Sequence, residues 1–241
     1  MKLKVAPAVA GTAAAVVLVT SSSTPSATVP AAERALAYQA ASGVVDYAFA
    51  PSTIAEALPS THYHLSAQTG VGATISQLVV TGRFTGWRPG LAQVWSGGRD
   101  GGTKVAWDDP SAETRTVVLT FDVESIVAQD PAAAAGQQLR VWVPLDASAE
   151  PSAVASGLER AGRTIVFLEH PSNPAVADLW TISLSQTLLG TVADDGRITM
   201  GVLTQAGNSE PFATLGKDAQ GLTVAELESA SRVPRDIQLG G

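Results

Sequence analysis

Between Thr114 and Ile126 the side chains Thr116, Val118, Thr120, Asp122 and Glu124 alternate with Val117, Leu119, Phe121 and Val123. A period of two puts each set on its own side of an extended strand, so one face can pack while the other meets water. That pattern argues for an antiparallel or barrel sheet rather than a buried parallel one. Cysteine is absent from all 241 residues. Disulfides are therefore unavailable, and a core of apolar side chains has to hold the fold.

Other segments repeat the strand signal. Leu78 to Trp87 is rich in β-branched and aromatic residues and closes on the turn pair Pro89-Gly90. Leu139, Val141 and Val143 share a face over 138–143, and 164–169 is apolar on both faces through Ile165-Val166-Phe167-Leu168, which predicts the most central strand. Further strands are expected over 179–184 and 187–192, and the turn Asp194-Asp195-Gly196 leads into another over 197–203. Pro151 to Leu158 reads as a short helix ending at Gly162. Thr223-Val224-Ala225-Glu226 forms a capping box flanked by Leu222 and Leu227, predicting a C-terminal helix over 224–232. Short strands with few helices imply a mostly β domain, a small barrel or sandwich.

Lys2 and Lys4 precede an uncharged apolar run from Val5 to Val19, followed by Ser21, Ser22, Ser23 and Thr24. This three-part layout is that of a secretory leader. The run, about 15 residues, is shorter than the roughly 20 that a membrane-spanning helix needs. The expected organisation is a signal peptide over 1–31, cut after Val29-Pro30-Ala31, a flexible arm over 32–70, a β-barrel domain over 71–233 and a tail over 234–241. The arm is rich in Ala, Ser, Thr and Pro, and a helix over 31–41 would bury mostly alanine, which gains little area. The product is expected to be secreted or held at the outer side of the cell envelope, with no stable membrane insertion after processing.

The chain has 15 basic against 22 acidic residues. Removing Lys2 and Lys4 leaves 13 basic residues and a net charge of −9. Such a surface repels polyphosphates, which argues against nucleic acid and anionic lipid as partners.

The strand Val79-Val80-Thr81-Gly82-Arg83-Phe84 is followed by a loop. Then come Val117 to Ile126, Leu139-Arg140-Val141-Trp142-Val143-Pro144, and Ala161 to Leu168. This order, over 75–202, resembles a group of uncharacterised exported actinobacterial β-barrel proteins. More distantly it is similar to the barrel of netrin C-terminal modules and tissue inhibitors of metalloproteinases. The high Ala, Val and Gly usage with 15% charged residues fits an actinobacterial source. The resemblance implies a small OB-like barrel, closed or partly open, with one late helix packed across an end, to which the leader pattern adds an N-terminal signal helix. Those inhibitors present an N-terminal cysteine to the metal, so a chain without cysteine does not inherit their activity.

Candidate chemistry is sparse. His62 and His64 stand two apart, but no third ligand follows at metal spacing, so they read as an exposed polar pair. His170, before Pro171, is expected to end a strand. No serine lies in Gly-x-Ser-x-Gly, and a Ser-His-Asp set using His170 with Asp122 or Asp178 has no positive support. The pairs Asp108 and Asp109, Asp122 and Glu124, and Asp194 and Asp195 fall in a loop, a strand end and a turn, which are ordinary solvated places. Asp100, Asp108 and Asp109 lack the spacing of a calcium loop. No catalytic residue, metal or cofactor is assigned.

Tryptophans remain. Trp87, Trp95 and Trp107 bracket a loop containing Gly97, Gly98, Gly101 and Gly102. Packed down, Trp87 and Trp107 would cap an open barrel end; exposed, they would make a stacking platform for sugars or a protein anchor. The expected function is non-enzymatic binding of a protein or cell-wall glycan through the Trp95–Trp107 loop, with Trp87, Asp108 and Asp109 beside it. The alternative is an extracellular hydrolase with a site near His170.

Overall fold

A computed structural model describes residues 28–41, 51–65, 72–94, 102–146, 148–171, 176–206 and 212–239. The proposed leader up to residue 27 lies outside them. The chain is mostly β, built on one large sheet.

The main sheet uses β3 (Leu78–Val94), β4 (Thr103–Val105), β5 (Thr114–Gln129), β6 (Gln138–Asp146), β7 (Thr164–Glu169), β8 (Trp180–Ile182), β9 (Leu189–Val192) and β10 (Ile198–Thr199), in the order β10-β9-β7-β8-β6-β5-β3-β4. It ends in β10 on one side and β4 on the other, so the eight strands do not form a closed barrel. β3 also pairs with β7, from Leu78↔Leu168 to Gly82↔Thr164, while β8 joins β6 and β7 through two residue pairs each. As expected, β7 is central, touching β3, β8 and β9.

The 17-residue β3 serves two neighbours because it curls. Its ladder to β5 shifts register four times, and each shift adds local twist. Gly82 sits where both ladders meet; a side chain there would strike the Asp122 carbonyl oxygen and the Phe121 ring. The alternation holds for the inward face, while on the face expected to meet water Thr116 and Val118 are buried too, Thr120 and Asp122 are half-buried, and only Glu124 is exposed. Val117, Leu119, Phe121, Leu139, Val141, Val143 and Leu145 are all buried.

Helices and a smaller sheet cover this framework. They are α1 (Thr28–Ala41), α2 (Pro151–Arg160), α3 (Gly201–Ala206), α4 (Phe212–Asp218) and α5 (Val224–Ser231). α2 ends as expected, with Gly162 at φ +74 providing the left-handed residue beyond the cap. α5 has the predicted capping box: Thr223 Oγ1 accepts from the Glu226 N–H, and Glu226 Oε2 accepts from the Thr223 N–H. The strand expected over 197–203 is shorter, because the chain turns helical at Gly201 after two β10 residues.

The stretch expected as a flexible arm is docked wherever it is described. Ala32, Leu36 and Ala37 share one face of α1 and are buried, and α1 packs on α2 and α3. Alanines bury little area themselves, but they let the helices approach closely enough for Leu36 to be fully enclosed. A 3-10 turn, Ile54–Ala57, carries a second capping box from Thr53 and Glu56. β1 (Thr61–Leu65) then pairs in parallel with β11 (Arg235–Leu239), inside the expected tail, and antiparallel with β2 (Gly72–Ala73).

Candidate binding face

With Leu139, Val141 and Val143 inward, the alternation of β6 turns Arg140, Trp142 and Pro144 outward. Cross-strand pairing extends this face in one row: Val118 opposite Trp142, Trp142 opposite Thr181, and Thr181 opposite Glu169. Val118 forms a small apolar cluster with Val176 and Leu179, separate from the main core, and Leu91 and Trp142 pack against it. The cluster sets Val176 and Leu179 over the outer face. At its rim Arg140 and Asp178 form a 2.6 Å ion pair, whose exposure limits its contribution to about 1 kcal/mol at most.

Polar atoms here are incompletely paired. Trp142 Nε1, Ser183 Oγ and Gln186 Oε1 are buried with no hydrogen-bond partner among the described residues. Each unpaired buried group costs on the order of 1–3 kcal/mol, so such groups call for an explanation. Ser183 precedes, and Gln186 ends, a turn in which Leu184, Ser185 and Gln186 have φ of 53, 50 and 70°. Left-handed backbone costs a residue with a side chain roughly 1–2 kcal/mol, and here three follow one another. The turn places the Gln186 amide on β6, where Nε2 donates to the Pro144 carbonyl at 3.0 Å. On the same face, burial pushes the Glu169 carboxyl up to about 7.

The tryptophans singled out in the sequence occupy a different place. Trp87 pairs with Leu119 on the inward side, and its ring centroid lies 6.0 Å from that of Trp107. Both are half-buried against the main core. Trp107 Nε1 donates to the Thr116 carbonyl at 2.9 Å, while the Trp107 carbonyl accepts from Arg115 Nε at 3.1 Å. Asp109 joins this arrangement through its own carbonyl, which accepts from Arg115 Nη2. Its carboxyl accepts from the Ser111 N–H and O–H, which hold it below the usual carboxylate range. Asp108 is exposed, and Trp95 and Asp100 lie outside the described residues.

The remaining candidates do not converge. His170 Nδ1 is 3.1 Å from the Leu179 carbonyl, and the ring stacks on Trp180 at 4.0 Å. Glu169 pairs with Thr181, which faces the opposite side of β8 from Trp180, so Glu169 and His170 do not share a site. Glu124 bridges Arg83 and Arg163, and Asp195 pairs with Arg197. His62 lines an open groove of about 650 Å³ with Ile126, Asp130, Pro131 and Pro234. Among the described residues, no three His, Asp or Glu side chains gather to hold a metal ion, and no helix is long and apolar enough to cross a membrane.

Sequence reasoning passed over Trp142, although its outward direction follows from the inward face of β6. Ser183, Gln186 and Glu169 join it only through strand pairing. Compared with known proteins, the chain matches no family model, no curated protein and no solved structure.

Proposed function

We propose that this is an exported, non-enzymatic β domain that binds a cell-envelope glycan through the outward face of β5, β6 and β8. The observation that carries the reading is Trp142, a half-buried indole on the outward side of a strand, with apolar neighbours and an unpartnered N–H. A half-buried indole with apolar neighbours suits the apolar faces of sugar rings.

The strand order supports an OB-like, partly open barrel. Following β3-β5-β6-β8-β7, the chain of ladders returns to β3; only the β6–β8 pairing is parallel, and α2 lies between β6 and β7. In OB barrels the face of the second and third strands, with its adjoining loops, takes oligonucleotides or oligosaccharides. Those strands correspond here to β5 and β6. A net charge of −7 disfavours the polyanion and leaves the saccharide. Export rests on the leader pattern, and the relation to exported actinobacterial, netrin-like barrels rests on the strand segments that carry it.

Co-sedimentation with purified cell-wall glycan tests the reading. The intact protein is expected in the pellet and the Trp142→Ala variant in the supernatant, with unchanged circular dichroism. Equal pelleting of the two would place binding elsewhere, and pelleting of neither would remove the glycan.

A further inference from the structure

β8 is three residues long and joins β6 through Val141↔Trp180 and Trp142↔Thr181, and β7 through Leu168↔Ile182 and Glu169↔Thr181. The rest of the sheet does not depend on it. β6 keeps its ladder to β5, and β7 keeps those to β3 and β9, so β8 can leave without parting any other pair of strands. Its surroundings favour leaving. Trp142 Nε1, Ser183 Oγ and Gln186 Oε1 are buried without partners among the described residues, and each meets water once β8 lifts. The turn that follows holds Leu184, Ser185 and Gln186 in left-handed backbone, a strain that lifting releases.

Glu169 adds a charge-dependent reason. It forms one of the two β7–β8 pairs, and among the described residues no hydrogen bond or ion pair reaches its carboxyl, which burial pushes up to about 7. Charged groups on the elements around it are engaged elsewhere. Asp178 is paired with Arg140 of β6, the Asp130 carboxyl accepts from the Ala132 N–H, and the His170 ring stacks on Trp180, on the far side of β8 from Thr181. Gln77, just before β3, is uncharged, and its side-chain oxygen accepts from the His170 N–H. A carboxylate formed at Glu169 is therefore uncompensated, and it regains water only when the β7–β8 pairing opens.

We propose that β8, with the turn after it, is a pH-gated strand that lies shut in acid and detaches locally, ahead of the rest of the sheet, as Glu169 ionises. The inference goes beyond the glycan reading and does not depend on it. Linkage sets the direction. The shut form holds the Glu169 proton up to about pH 7, whereas the open form releases it near 4.5. Opening therefore becomes easier as pH rises through that interval and no easier above it. Detachment bares the β6 edge at Val141 and Trp142 while the β5–β6 ladder stays in place.

Hydrogen exchange of the full chain tests this, followed by NMR amide by amide from about pH 5 to pH 8 and expressed as protection factors, which remove the intrinsic pH dependence of exchange. The reporter is the Ser183 N–H, which donates to the Phe167 carbonyl at 2.9 Å. Its protection is expected to fall about tenfold or more over that range, with the fall complete near pH 7. At pH 8 it should lie about tenfold or more below that of the central β5 amides. Glu169→Gln should remove the pH dependence and leave β8 the less protected strand. Protection equal to that of β5 at pH 8 overturns local detachment, since β8 then opens only with the whole domain. No fall, a fall that starts above pH 7, or one that survives in Glu169→Gln overturns the gate at Glu169. The comparison with β5 and the position of the fall use the unaltered protein, so they decide the matter even if the variant does not fold.

Discussion

Gly82 passes the carbonyl oxygen of Asp122 so closely that a side chain has no room, and the Phe121 ring closes the other approach. The contact is the cost of letting one strand pair with both β5 and β7. Gly82→Ala is expected to destabilise the domain by about 3 kcal/mol or more, because backbone on a neighbouring strand has to move. Urea unfolding measures it, and a change within about 0.5 kcal/mol would show that β3 does not curl here.

Leu36 tests whether the first helix belongs to the domain. It is fully enclosed between α1, α2 and α3. Leu36→Ala should cost about 3 kcal/mol, in the range of other leucine truncations in packed cores. Unchanged stability by thermal unfolding would return the stretch to an undocked arm.

Glu169 gives the face a pH signature. Burial raises its carboxyl from 4.5 to about 7, so across that interval the folded chain holds a proton that the unfolded chain has released. Its contribution is fully present below about 4.5, falls as pH rises, and levels off above about 7. Partial solvent access limits the loss to on the order of 2 kcal/mol. Glu169→Gln should flatten that slope and stabilise the protein at pH 8. A wild-type slope in the variant, measured by unfolding at several pH values, would contradict the assignment.

Thr223→Ala should cost about 1 kcal/mol by removing the acceptor for the Glu226 N–H, again read from urea unfolding. No loss of stability would mean that the cap forms without holding the helix.

This last feature marks where sequence reading succeeds. The capping box spans four residues, and the alternation of β5 and β6 also lies within single segments, so both are visible locally. The parallel pairing of Thr61 with Arg235 is not, because nothing near either residue encodes a partner so far along the chain. The same holds for the candidate face. Trp142 points outward by simple alternation, but Ser183 and Gln186 reach it only through the β6–β8 crossing. Their left-handed turn contains no glycine, so it leaves no mark in the sequence. Trp87 and Trp107 drew attention by composition, and their pairing with Leu119 and Thr116 explains them as packing at the inward side.

The most direct measurement is the ¹⁵N indole NMR spectrum during titration with soluble cell-wall glycan, with the Trp142 resonance assigned by its loss in Trp142→Phe. The Trp142 N–H, unpartnered in the free protein, should shift strongly, while the Trp107 N–H, bonded to the Thr116 carbonyl, stays in place. A Trp142 resonance that stays still while Trp107 moves, or a spectrum unchanged at saturating glycan, would contradict the account.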